Sequence, residues 1–212
     1  LQLFTTMPAL RLPQNLLTKR RMRDFIVIVL GGPATGKTTI GTRLAKSLRI
    51  PYFSKDGVKE PIFDDVGIPV AIETDEPLSG RKMDNAAISI LFYLIEMQLK
   101  AGCACVIDCN YRQQHSETLK QLLSKYPLIP IQIICGADGQ ELEKRYKKRT
   151  GGSVRHRGHL DHTLFNEFNL EALTELYQTP LDIGGHVLSI DSTRFEEADC
   201  LSLLESIEQL VS

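Results

Sequence analysis

An unbroken apolar run from Phe25 to Leu30 stops at the turn-forming residues Gly31, Gly32 and Pro33, and helical spacing follows through Ile40, Leu44, Ala45 and Leu48. A run without polar alternation reads as a strand buried on both faces, as in a parallel sheet, and the spacing after it reads as a helix with one apolar face. Between them Gly31, Gly32, Pro33, Ala34, Thr35, Gly36, Lys37 and Thr38 match G-x-x-x-x-G-K-[ST] in full. Glycines let successive backbone N–H groups converge on phosphate oxygens, and the helix that follows adds its positive end. Lys37 brings a point charge to the β- and γ-phosphates of a nucleotide. Thr38 offers a hydroxyl to Mg²⁺, which is expected because ATP carries several negative charges that one lysine does not neutralise. Thr39, next in the opening turn, completes the candidate nucleotide contacts.

The alternation of strand and helix patterns continues along the chain. Residues 51–53 read as a short strand, 58–66 as a helix, and 79–100 as a long helix with apolar residues on nearly all sides, hence largely buried. A buried strand over 103–107 ends at Asp108, and a helix over 116–125, a strand over 129–135 and a helix over 139–149 follow it. Thr150, Gly151, Gly152 and Ser153 break the pattern ahead of a basic, histidine-containing stretch, and a strand over 186–190 and a helix over 195–210 close the chain. Five strands alternating with helices predict a doubly wound α/β domain with a parallel sheet, whose ligands bind beyond the carboxyl ends of the strands.

A chain of 212 residues, 42% hydrophobic and 24% charged, suits one domain with inserted segments. Its formal charge of -1 gives no global basic field, so affinity for nucleic acid or a membrane would have to come from a local patch. The five cysteines, Cys103, Cys105, Cys109, Cys135 and Cys200, are an odd number lacking C-x-x-C pairs. They read as reduced core thiols rather than zinc ligands, which makes a cytoplasmic setting the expectation. No stretch reaches the roughly 18 apolar residues of a membrane span, and no membrane partner is expected. The first 23 residues hold Arg11, Lys19, Arg20, Arg21 and Arg23 and no acidic residue. Met22 directly precedes the first strand-like run, so residues 1–22 are read as an N-terminal extension, with a transit-type leader as the alternative, and 23–212 as the domain.

On these motifs the chain resembles the P-loop kinases of the AAA-33/zeta-toxin-like group, which includes polynucleotide 5′-hydroxyl kinases and chloramphenicol phosphotransferase. The resemblance covers residues 24–160 in element order and implies a kinase-type sheet of strand order 2-3-1-4-5. In that group the strand after the P-loop helix ends in a polar stretch with an aspartate near the acceptor hydroxyl, and Ser54, Lys55 and Asp56 stand at the matching place. Asp56 is then the base, a role that needs positioning more than a raised pKa. The other reading of Asp56 is a cap on a helix beginning at Gly57. Asp108, Asn110 and Arg112 resemble the group's segment at the end of the third strand, where polar residues face Mg²⁺ and the acceptor. Asp108 either holds the metal with Thr38 or faces the acceptor, and a cap at a strand end is the alternative.

Arg145 and Arg149 lie four apart on one helix face, with Leu142 and Tyr146 forming an adjacent stripe toward the core. In the resembled group this helix carries the lid arginine, which implies that one of the two reaches the transferring phosphate. The alternative for Arg145 is an ion pair with Glu141. Thr150, Gly151 and Gly152 read as a hinge. Lys147, Lys148, Arg155, His156, Arg157 and His159 form a basic surface for an anionic acceptor. The spacing of His156, His159 and His162 invites a metal reading, which the surrounding positive charge disfavours.

The expected activity is in-line transfer of the ATP γ-phosphoryl group to a hydroxyl of a small molecule or a nucleic-acid end. The rival is a nucleotide-dependent switch or ATPase without an acceptor. A guanine-reading N-K-x-D element, which a regulatory GTPase needs, does not occur in the chain.

Overall fold

All seven residues of the first strand, β1 (Phe25–Gly31), are buried, because it runs through the middle of a five-stranded sheet with helices on both faces. The computed structural model describes residues 24–66, 78–111, 113–150, 156 and 177–212. After β1 come α1 (Lys37–Leu48), β2 (Tyr52–Ser54), α2 (Lys55–Val66), α3 (Leu78–Lys100) and β3 (Cys105–Asp108). A 3₁₀ turn (Gln113–His115) leads into α4 (Ser116–Leu123), β4 (Ile129–Gly136), α5 (Gly139–Thr150), β5 (His186–Asp191) and α6 (Glu197–Val211). Strand order is β2-β3-β1-β4-β5 with every pair parallel, the kinase-type order that the resemblance implied.

The alternation of side chains along β1 divides the core. Ile26, Ile28 and Leu30 pack with Leu91, Ile95 and Leu99 of α3 and Leu119, Leu122 and Leu123 of α4. Phe25, Val27 and Val29 pack on the other face with Ile40 and Leu44 of α1 and Leu203, Ile207 and Val211 of α6. Each such side chain contributes ~1.5–3 kcal/mol of transfer free energy, and none can be made polar without cost.

Register sets where the chemistry can sit. Asp108 is opposite both Val29 of β1 and Ser54 of β2, Gly31 is opposite Cys135, and Gly136 is opposite Asp191. The polar residues that end these strands therefore share one edge of the sheet, beside the turn that follows β1.

Two expectations are corrected. The long helix α3 is not buried on nearly all sides: Met83, Ala87, Leu91, Ile95 and Leu99 form its buried stripe, while Ile90 and Tyr93 are 41% and 60% exposed. A helix lying on a sheet can cover only one stripe, however apolar its other faces. Cys103 is not a core thiol but exposed, because Gly102, at φ 65°, turns the chain and β3 starts only at Cys105. The other four cysteines are buried as expected, and all five are free thiols.

An ionic clamp joins α2 to α3. Lys55 Nζ and Lys59 Nζ approach Asp84 Oδ1 at 3.1 and 2.9 Å, and Lys59 is only 4% exposed. Burial favours the neutral form of Lys55 and of Asp84, and the opposed charges more than reverse it, so Lys55 is raised and Asp84 lowered from their ordinary values. Since the folded Asp84 is the stronger acid, its contribution is fully present above the unfolded carboxylate value of about 4 and is lost as pH falls from there through the lower folded value. Asp84→Asn should lower stability by about 1–2 kcal/mol at neutral pH, measured by urea unfolding. The gap to wild type should close below about pH 4; a gap independent of pH would refute the charged clamp.

Candidate active site

The turn after β1 has a backbone that its glycines make possible. A Cβ at Gly31, where φ is 147°, would lie 2.5 Å from the Cys135 carbonyl oxygen and 2.6 Å from Thr35 Oγ1. Gly36 has φ 84°, and Ala34 takes the left-handed region at φ 64° despite its side chain. Three hydrogen bonds hold this shape: Thr35 Oγ1 donates to the Gly32 carbonyl at 2.9 Å, Lys37 Nζ to the same oxygen at 2.7 Å, and Ser192 Oγ to the Thr35 carbonyl at 2.8 Å. The N-cap of α1 is Gly36, which has no side chain to cap the helix. The opening amides are thus left to a ligand, with Thr38 and Thr39 exposed at the same turn and Pro33 half-buried before it. A cradle in which a Cβ would collide, an uncapped helix end and a buried lysine amine together fit a nucleotide's phosphates.

Asp108 sits beside this turn and is 5% exposed. Thr38 Oγ1 and Tyr52 OH both donate to its Oδ2, each at 2.9 Å. Burial pushes the carboxyl up from its ordinary value, and the Lys37 ammonium opposes that rise. A threonine hydroxyl held against a carboxylate is the hard-oxygen donor set that suits Mg²⁺. Asn110 is half-buried two residues further on, and Arg112 lies outside the described residues.

Asp56 is in the first turn of α2 and does not cap it. The helix begins at Lys55, and Ser54 Oγ accepts the Gly57 backbone N–H at 2.9 Å, so Ser54 holds the cap. The Asp56 carboxylate, 41% exposed, lies 4.0 Å from Lys55 Nζ and 4.0 Å from Arg149 Nη2. It is also close enough to Asp108 to contribute to the rise of that carboxyl.

The two arginines of α5 are placed differently. Leu142 and Tyr146 are buried as the stripe expected of them. Arg145 donates from Nε to Glu141 Oε1 at 2.9 Å and from Nη1 to Ser192 Oγ at 3.1 Å. Its Nη2 donates to the Ser192 and Thr193 carbonyls at 2.6 and 3.1 Å. Its guanidinium fork is committed to the segment after β5, and only Arg149 stands beside Asp56. Past α5, His156 rests on α2 through Asp64 at 3.1 Å and the edge of Phe63; Gly151, Gly152, Arg155, Arg157, His159 and His162 lie outside the described residues. Among the described residues no cluster of metal-binding side chains occurs.

Sequence reasoning missed Ser192, Tyr52 and the Asp84 clamp. A signal existed for Ser192, since Asp191, Ser192 and Thr193 end an apolar strand in the manner of Asp108.

No family model matches the chain, and no curated protein matches it in sequence. Among solved structures it is similar, at 30% identity and TM-score 0.75, to a protein of Chloroflexus aurantiacus j-10-fl described as a "putative kinase", over 90% of this chain and 100% of that one. The chain belongs to the P-loop kinase family. This P-loop kinase also shares its fold with Chaetomium thermophilum Kti12 solved with ADP-AlF3, at 13% identity and TM-score 0.61 over 88% of this chain and 99% of that one. A gluconokinase of Sinorhizobium meliloti 1021 is similar at 17% identity and TM-score 0.54, over 90% and 95% of the two chains.

The placement of the arginines separates their effects in this kinase. Arg145→Ala should cost about 1–3 kcal/mol in thermal unfolding and weaken ATP binding, because it releases the segment that Ser192 holds against the turn. Arg149→Ala should lower turnover more than it lowers stability. The opposite order in melting and calorimetry would contradict this division.

Proposed function

We propose that this P-loop kinase moves the γ-phosphoryl group of ATP to a hydroxyl of a small molecule or a nucleic-acid end, as in the AAA-33/zeta-toxin-like group. Lys37 and the amides from Gly31 to Thr39 bind the β- and γ-phosphates. Thr38 and Asp108 hold Mg²⁺, which when bound supplies further neutralising charge. The acceptor hydroxyl loses its proton to Asp56 as its oxygen bonds to the γ-phosphorus, and the bond to the ADP oxygen breaks. Arg149 stabilises the charge spread over the transferring group, while Arg145 positions the turn. Asn110 and Arg112 are assigned to acceptor binding, and Lys147, Lys148, Arg155 and Arg157 to an acceptor that is anionic. Five free thiols fit a cytoplasmic setting.

One observation carries this reading: Asp56 sits at the ligand edge of the sheet, half-exposed between Lys55 and Arg149, while the neighbouring Ser54 takes the capping role. Both cations face the carboxylate that would take the proton.

Asp56→Asn keeps size and fold and removes the proton acceptor. ATP affinity by calorimetry should stay at the wild-type value, and phosphorylation of any acceptor that stimulates ADP release should fall by ~10²–10⁴. A rate within a few-fold of wild type would reject the base assignment and move it to Asp108.

A further inference from the structure

Helix α1 contains a glycine that its backbone does not require. Gly41 lies in the interior of Lys37–Leu48 and is not among the residues with positive φ. An alanine there would favour the helix by ~1 kcal/mol. The reason for glycine is steric: a Cβ at this position would lie 2.8 Å from Tyr52 Cε2 and 3.4 Å from Cδ2. The Tyr52 ring therefore lies against bare helix backbone.

That close approach has a consequence at the other end of the ring. Tyr52 is the first residue of β2 and pairs with Val106, two residues before Asp108 on the neighbouring strand, and its hydroxyl reaches forward to Asp108 Oδ2 at 2.9 Å. The same oxygen takes the Thr38 hydroxyl at 2.9 Å. Two donors on one oxygen, one from a strand and one from the helix opening, fix both the rotation and the tilt of a carboxylate.

We propose that Tyr52 is a positioning residue, seated by Gly41, that orients the Asp108 carboxylate toward the divalent cation of the bound nucleotide. The inference rests on the reading of Thr38 and Asp108 as the cation pair. Tyr52 acts through Asp108. Its effect belongs in the cation's contribution to binding, because outer partners of metal-binding carboxylates govern how well those groups serve a metal.

The test compares ATP affinity by calorimetry in Mg²⁺ and in EDTA for wild type, Tyr52→Phe, Gly41→Ala and Asp108→Asn, with thermal melts to verify folding. Wild type should gain affinity with Mg²⁺, and Asp108→Asn should lose most of that gain. Tyr52→Phe keeps the ring on Gly41 and should reduce the gain by about tenfold, with its affinity in EDTA and its melting temperature near wild type. Gly41→Ala, which displaces the ring, should reduce the gain in the same way. A full wild-type gain in Tyr52→Phe, beside a lost gain in Asp108→Asn, overturns the role of Tyr52 alone. A wild-type gain in Asp108→Asn removes the cation pair itself, and the inference falls with it.

Discussion

A carboxylate almost wholly removed from water has to be answered by charge and hydrogen bonds, and Asp108 at the end of β3 imposes that requirement on everything around it. The parallel register sets it opposite Val29 and Ser54, so the answering groups come from the strands and helix beside it. Thr38 and Tyr52 supply two hydrogen bonds and Lys37 the opposing charge. Among the described residues, protein donors meet at one of its oxygens only, an arrangement suited to a carboxylate whose remaining partner is a ligand. The turn after β1 depends on the same neighbourhood, because its lysine is shared between holding the loop and balancing Asp108.

A second line of contacts crosses the sheet edge in the other direction. Ser192, just past β5, donates to the Thr35 carbonyl, and Arg145 of α5 holds Ser192 and Thr193. Helix α5, the segment after β5 and the nucleotide turn are thereby joined. Arg149, one helical turn further along, faces α2 and Asp56 instead. One helix therefore carries two arginines with different partners, and which partners each takes depends on the neighbouring element it can reach.

What the sequence revealed follows the locality of each signal. The turn from Gly31 to Thr38, β1 and α1 were legible because glycine placement, apolar runs and helical spacing act within a few residues. The doubly wound sheet followed from simple alternation. Burial around α3 was misjudged because the apolar residues Ile90 and Tyr93 look the same whether they meet a sheet or solvent. The cap of α2 had two competent candidates in Ser54 and Asp56, and only geometry shows that Ser54 takes the Gly57 amide. The sequence left open which arginine of α5 reaches the phosphate; the Glu141 pairing of Arg145 was legible at i, i+4, whereas its partners 47 and 48 residues away leave no local pattern. Tyr52 escaped notice since an aromatic in a short strand reads as core packing, and Gly41 gave the only hint of its contact.

In the proposed reaction the phosphoryl group ends on an acceptor hydroxyl rather than on water. The most direct measurement offers the full chain ATP and Mg²⁺ with a panel of hydroxyl compounds and 5′-hydroxyl oligonucleotides, following ADP release and the destination of the γ-phosphorus by ³¹P NMR. The account predicts that at least one acceptor raises ADP release above the rate with water and carries the phosphorus as a phosphate ester. ADP release that no compound stimulates, with all the phosphorus recovered as inorganic phosphate, would contradict it and establish an ATPase.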